Sequence, residues 1–370
     1  MEAAEPSVPP LAFVQLLASD ALEPDAVRRF RAVLDREGLS ETTLVERDIQ
    51  APVRWFREVY PTLDADTATS LGRACADQAQ LTTFGPLSLP LVSAGSVGEI
   101  VELLTYLPLI STALSPHFHS SERGLTVGFT GQADDPDLNR LVVTYCGSAL
   151  VRLLKLLVGE LSDVTLHLDW PTPPSLQGDP DVEMGRLVFD APLSYLYVPT
   201  ETLSEVCRFS DPIAYRHAIA DLEKALQRQS RPNSCSRLVR RLLEEGPGIT
   251  GSRSVASQLA ISHSSLKRRL AQEGTTFRAL RETVLREQAV LLLLERTSTV
   301  SEIAAQLGYS EVSNFSHAFK RWTGFSPSQF QSSQGPNRID GGRATTVSPD
   351  ARPTAADPDT EAPLQRSVAR

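Results

Sequence analysis

Apolar residues recur at helical spacing through most of the first hundred positions. In EPDAVRRFRAVLDREGL, Val27, Phe30 and Leu34 share one face, Pro24 suits a first helical position, and Gly38 follows as a stop. VRWFREVYP and the stretch from Asp64 to Gln78 carry the same pattern. In SVGEIVELLTYLPL a capping box of Ser96 and Glu99 opens a helix with Val97, Ile100, Val101 and Leu104 on one side. Beyond it the period changes. LTVGFT, RLVVTY, VTLHL, GRLVFD and SYLYV are short, β-branched or aromatic, and bounded by Pro, Asp or Gly, so they predict strands. GSALVRLLKLLVGEL and DPIAYRHAIADLEKALQ return to helical spacing. Helices followed by strands with one helix among them predict a mixed α/β domain over residues 1–228.

QRQSRPNSCS then predicts a linker, placed at 229–236. After Gln331 large apolar residues become rare and turn formers frequent, so 334–370 predicts a disordered tail. Between them, residues 237–333 contain an internal repeat. VASQLAISHSSLKRRL, from Val255, aligns with IAAQLGYSEVSNFSHAF, from Ile303, with Gln-Leu, a small residue and a serine in register. Each copy reads as a short helix, a tight turn and a second helix, the plan of a helix-turn-helix, over about 254–273 and 300–323. The fold class expected for the chain is α+β: a mixed sensor domain followed by an all-α double helix-turn-helix domain.

The second helix of each copy divides into two faces. Thr299 and Glu302 form a capping box, Gly308 suits the left-handed turn, and Ser310 can cap the helix that follows. At ~100° per residue, Val312, Phe315, Ala318, Phe319 and Trp322 fall in one sector, whereas Ser313, Asn314, His317, Lys320 and Arg321 gather opposite. In the first copy Ser262 is the cap, Leu266 and Leu270 point inward, and Ser264, Ser265, Arg268 and Gln272 point outward beside Lys267. Such side chains can read base edges, and the cations among them can neutralise phosphates. FRALRETVLREQAVLLLLER supplies one long helix between the copies.

Charge follows the same partition. The net −9 of the 370 residues divides into 17 Lys+Arg against 32 Asp+Glu over 1–230, 14 against 8 over 231–330, and 5 against 5 in the remainder. The repeat-bearing block is thus the basic one, which suits an anionic partner.

These residues resemble the DNA-binding domain of the AraC/XylS transcriptional regulators. The likeness runs from near Cys235 to Phe330. It rests on Ser262, Leu266, Arg268 and Leu270, on LREQAVLLL, and above all on EIAAQLGYSEVSNFSHAFKRWTGFSP. It implies two helix-turn-helix units presenting their second helices to successive major-groove segments about one helical turn apart. Carried over by position, the base-facing residues are Ser264, Lys267 and Arg268 in the first unit and Ser313, Asn314 and His317 in the second, with Lys320 and Arg321 at phosphate. Ser264 and Ser265 stand where larger contact residues often occur, which leaves Lys267 and Arg268 with most of the first unit's readout. Residues from about Leu39 to Val206 resemble the sensor domain called arabinose-binding-like, of the subgroup that includes regulators of ornithine utilisation, through FGPLSLPLVSAGSVGEIVELLTYLPL and LVFDAPLSYLYVPTETL. The name does not imply a sugar. The resemblance implies a transcription regulator, activation among its roles, with double-stranded promoter DNA and RNA polymerase as partners. It further implies a small-molecule effector of unknown identity and leaves a homodimer open. A ligand-independent dimeric regulator and an enzyme with a helical interaction module are the alternatives.

Other features carry less. Four scattered cysteines form no C-x-x-C pair, the acidic proline-rich start lacks a signal-peptide pattern, and no run approaches ~18 apolar residues, so a cytoplasmic protein without membrane contact is expected. His117 and His119 would share one side of a strand, but without nearby cysteine or carboxylate they read as packing or surface rather than metal ligands. Cys146-Gly147-Ser148 lacks both G-x-S-x-G and a base. ADDPDLN lacks Ca²⁺-loop spacing and reads as a solvated turn. Tyr145, Trp170, Tyr195 and Tyr197 read as core fillers. The sequence thus offers no catalytic residue, no metal ligand and no cofactor.

Overall fold

An aromatic cluster anchors the first helical layer. The computed structural model describes residues 5–159, 161, 163–229, 235–245, 251–295 and 298–333; the expected tail at 334–370 and residues 230–234 of the expected linker lie outside them. Strand β1 (Ser7–Val8) leads into α1 (Pro10–Leu17), α2 (Pro24–Arg36) and α3 (Glu41–Glu46), and β2 (Ala51–Pro52) returns antiparallel to β1 before α4 (Arg54–Val59) and α5 (Ala65–Ala76). Phe13, Phe30, Trp55 and Phe56 are buried and meet edge-on or tilted at 5.1–6.1 Å, the geometry that ring quadrupoles favour. Ser40 and Asp64 cap α3 and α5 by accepting from the Thr43 and Thr67 amides.

Next come α6 (Ser88–Ser93), α7 (Val97–Glu102) and a 3₁₀ turn (Leu103–Leu109), then β3 (Leu114–Ser120), β4 (Gly124–Gly131) and the long α8 (Pro136–Leu157). After α8 run β5 (Thr165–His167), α9 (Pro180–Glu183), β6 (Leu187–Val188), β7 (Tyr195–Pro199), α10 (Thr200–Leu203) and α11 (Pro212–Gln229). The sheet order is β3-β4-β7-β5-β6, antiparallel except for the β5–β6 pair. Gly72 on α5 lets α8 approach closely, since a Cβ there would stand 2.6 Å from the Leu141 carbonyl oxygen.

Three expectations need correction here. RLVVTY is not a strand but part of α8, which also absorbs GSALVRLLKLL. Asp135 caps that helix and Pro136 takes its first turn; Leu141 to Thr144 are all buried, so burial on several sides erased the helical period. Cys146-Gly147-Ser148 accordingly lies within a helix, with Gly147 pressed against Leu166. The ADDPDLN aspartates are not simply solvated, because Asp135 binds Arg57 at 2.6 and 2.8 Å. The Ser96–Glu99 box is half made: Ser96 accepts from the Glu99 amide, but Glu99 turns back to the Gly95 amide, 2.6 Å away.

The C-terminal part is helical throughout: α12 (Cys235–Glu245), α13 (Ser252–Gln258), α14 (His263–Gln272), α15 (Phe277–Glu295), α16 (Val300–Gln306), α17 (Val312–Thr323) and α18 (Pro327–Ser333). Cys235 and Ser236, expected in the linker, already belong to α12; their amides donate to Glu273 at 2.7 and 2.8 Å. Helix α15 serves both halves. Val284 joins the cluster of Val239, Val255, Leu266 and Leu270, while Leu285, Ala289, Val290 and Leu293 join that of Ile303, Leu307, Phe315, Phe319 and Phe330.

Candidate nucleic-acid interface

The two helix-turn-helix units are built by matching local chemistry. In the first, the Ser262 hydroxyl accepts from the Ser265 amide at 3.0 Å and starts α14, whose Leu266 and Leu270 are buried. In the second, the Thr299–Glu302 capping box is fully made and starts α16. Both turns need a left-handed residue. Gly308 supplies it at φ 80°, and Ala260 holds the equivalent place at φ 53° despite its Cβ.

Every predicted site residue is exposed. Ser264, Lys267 and Arg268 lie on the open side of α14, and Ser313, Asn314, His317, Lys320 and Arg321 on that of α17, while Phe315, Ala318 and Phe319 are buried beneath. Among the described residues, the side chains of Lys267, Arg268, Asn314, His317 and Lys320 make no hydrogen bond or ion pair, so their polar groups are unspent. Arg321 differs. It pairs with Glu282 of α15 at 2.9 Å, and the Trp322 indole donates to the same carboxylate at 2.8 Å. The Arg321 and Trp322 bonds hold the Glu282 carboxyl below its ordinary range. Ser313 is nearer the surface network too, donating to Glu311 at 3.2 Å, and Ser264 lies 2.9 Å from the Ser262 hydroxyl.

Two details depart from expectation. Ser310 does not cap α17; Glu311 holds the cap position without a side-chain bond. Val312, expected inward, is 38% exposed because it sits in the first turn, before the helix reaches the core. Arg269 was passed over and is also exposed on α14; its signal was the run Lys267-Arg268-Arg269.

A buried polar joint connects this helical region to the sheet. Arg240 of α12 places Nη2 2.5 Å from Glu287 Oε2 on α15 and 2.7 Å from Nδ1 of His117 on β3. The Thr130 hydroxyl of β4 donates to Glu287 Oε1 at 3.4 Å, and His117 Nε2 lies 3.4 Å from the same oxygen. Burial, with Arg240 and Arg286 nearby, pushes His117 down to about 3. Its ring is therefore neutral, and the Arg240 guanidinium lies against both ring nitrogens, 2.7 Å from Nδ1 and 3.1 Å from Nε2. Burial also raises the Glu287 carboxyl. Leu193, from the segment before β7, packs against the second apolar cluster and completes the joint.

Among the described residues no group of three or more His, Cys, Asp or Glu could hold a metal ion, and His117 is spent on Arg240. Trp170 and Tyr195 fill the core, Tyr195 stacked on His167 at 4.2 Å, and Tyr197 donates to the Arg123 carbonyl. No helix among the described residues is long and apolar enough to cross a membrane.

Two family models match the chain: a helix-turn-helix domain over residues 255–333, and the N-terminal arabinose-binding domain of AraC transcription regulators over 28–206. The chain is similar to an HTH-type transcriptional regulator of Mycobacterium bovis, 41% identical over 33% of this chain and 38% of that protein. It is 30% identical to the ornithine utilization regulator of Pseudomonas aeruginosa over 47% of this chain and 52% of that one. The regulator VqsM of the same organism is 24% identical over 68% and 81%. The chain therefore spans less than two thirds of the length of the mycobacterial relative and of the ornithine regulator. The crystal structure of the regulator CdpR from Pseudomonas aeruginosa aligns over 84% of this chain and 99% of its own at 21% identity, with a TM-score of 0.38.

Proposed function

We propose that the chain is an AraC-type transcription regulator that binds promoter DNA in a sequence-specific way under control of a small molecule taken up by its N-terminal region, a reading that the two family matches support. The observation that carries this reading is the pair of helices α14 and α17, on which the side chains of Lys267, Arg268, Asn314, His317 and Lys320 point outward without partners among the described residues while the inward faces are buried on one shared helix. Ser264, Lys267 and Arg268 face one stretch of major groove, and Ser313, Asn314 and His317 the next. Lys or Arg suits guanine, Asn suits adenine, and Ser and His adapt to several edges. Lys320 and Arg269 neutralise phosphate. Arg321 does so only by sharing itself with Glu282, which makes it a brace as much as a contact.

In this reading residues 1–229 sense and assemble, 230–234 link, and 235–333 bind DNA. RNA polymerase and a second copy of the chain are the further partners, the cytoplasm is the compartment, and no catalysis is involved. In vitro selection of DNA by the full chain, followed by footprinting, tests it. A two-segment site spaced by about one helical turn is expected; binding indifferent to sequence would overturn it.

A further inference from the structure

Two apolar chambers lie side by side in the N-terminal region. The smaller, about 40 Å³, is walled by α1, α5 and α8. The larger, about 80 Å³, lies between α8 and the Val97–Leu109 stretch, with Ile100, Leu104, Leu107, Leu150 and Leu153 in its walls. Both are lined by Val8, Val142 and Tyr145, so they share a wall. Protein interiors leave few voids larger than a water molecule. Two adjoining ones in one layer are a feature of this fold rather than ordinary looseness.

The chemistry of the walls is one-sided. Among the described residues, neither chamber is lined by an Asp, Glu, Lys, Arg or His. The thiols of Cys75 and Cys146 are pushed up to about 12 by burial and stay uncharged. The Thr83 hydroxyl is spent on Gln15 at 2.6 Å, and that of Ser111 on the Ser7 carbonyl at 2.7 Å. Tyr145 lines both chambers, and its hydroxyl has no hydrogen-bond partner among the described residues. Gln78, exposed, stands at the rim of the smaller chamber.

We infer that these adjoining chambers are the effector site, and that the effector is a neutral, largely hydrocarbon molecule of small-ring or short-chain size whose one hydrogen-bonding oxygen meets the Tyr145 hydroxyl. The inference rests on the reading of the chain as an effector-controlled regulator. Size sets a limit: the two chambers together fall short of the dry cavity of about 150 Å³ that takes benzene, so an occupant of ring size must widen the apolar walls. Charge discriminates further: bringing an ammonium or carboxylate into such walls without a partner costs far more than the contacts return. An amino acid, carrying both, is excluded from this site.

The test uses three probes of one shape, 4-fluorobenzyl alcohol, 4-fluorobenzoate and 4-fluorobenzylamine, titrated into the full chain and followed by ¹⁹F line broadening. The alcohol is expected to bind at least about tenfold more tightly than either ion. Tyr145→Phe should weaken the alcohol about three- to tenfold, the worth of one hydrogen bond, and leave 4-fluorotoluene unchanged. Ala149→Leu, which fills the larger chamber, should abolish both; if it fails to fold, Tyr145→Phe carries the test. Equal or tighter binding of either ion, or alcohol binding unmoved by Tyr145→Phe, would overturn the inference. DNA binding, read by anisotropy on the same samples, separates the two proposals. Retained DNA binding with no alcohol site sinks only the effector class, and an alcohol site without DNA binding sinks only the regulator reading.

Discussion

Replacing Arg240 by alanine would strip the joint between sheet and helices of its central cation. Glu287, whose side chain is only 9% exposed, would keep the 3.4 Å approaches of Thr130 and His117 and the more distant charge of Arg286. Removing one partner of a buried pair costs about 3–5 kcal/mol, because a charge is left stranded. The carboxyl has an escape, which is to hold a proton, and its level is already raised by burial. If it stays protonated in the folded variant, the cost grows by about 1.36 kcal/mol for each pH unit above the ordinary 4.5 of the unfolded chain. That is under about 1 kcal/mol at pH 5 and an upper limit of about 5 at pH 8. The sign is that of a raised carboxyl: stability is present at low pH and lost as pH rises. A deficit of 3 kcal/mol corresponds to roughly 6–12 °C in Tm for a unit of 150–250 residues or so. Thermal melts of Arg240→Ala at pH 5 and pH 8, against the parent chain, should therefore differ little at the lower pH and strongly at the higher. Arg240→Met combined with Glu287→Leu should regain most of the loss, since no charge remains buried. A deficit independent of pH, or a double variant no better than the single, would refute the reasoning.

Other outcomes follow from single features. Arg268→Ala and His317→Ala should each weaken specific DNA binding by about 1–3 kcal/mol per lost base contact, measured on the selected site. Lys320→Ala should weaken binding to all sequences alike and flatten the plot of log affinity against log salt by about one unit of slope. Gly72→Ala should destabilise the N-terminal region by about 1–3 kcal/mol in denaturant melts, since a Cβ meets the backbone of α8. Ala260→Gly should stabilise the first unit by up to about 1 kcal/mol, because the left-handed penalty of about 1–2 kcal/mol exceeds the extra chain entropy of glycine.

The legible parts of this chain were those specified locally. Thr299, Glu302, Gly308 and the Phe315–Phe319 face lie within twenty-one positions of each other, and the first cap, the turn and the buried face agree, so the second unit could be read except at Ser310 and Val312, where the next helix starts one residue later without a side-chain cap. Ala260 hid its turn because a residue with a Cβ seldom signals one. RLVVTY misled for a different reason: a helix buried on most sides shows no polar stripe, and a short β-branched run then looks like a strand. The joint of His117, Arg240 and Glu287 was beyond local reading altogether, since its members are 123 and 47 positions apart and nothing in their neighbourhoods announces the meeting. The same holds for the chambers, whose walls come from α1, α5, α7 and α8 and become a site only on folding.

Helix α15 supports both units, and its 19 residues also act as a phase gauge. At ~1.5 Å and ~100° per residue, it spans about 28 Å and fixes the rotation of one unit against the other. One inserted residue would move the units apart by only ~1.5 Å while turning one of them by ~100°. Chain length between the units is thus nearly free to the protein in distance and very costly in angle, so any evolutionary change in operator spacing has to be found in side chains or in the DNA, and not in this helix.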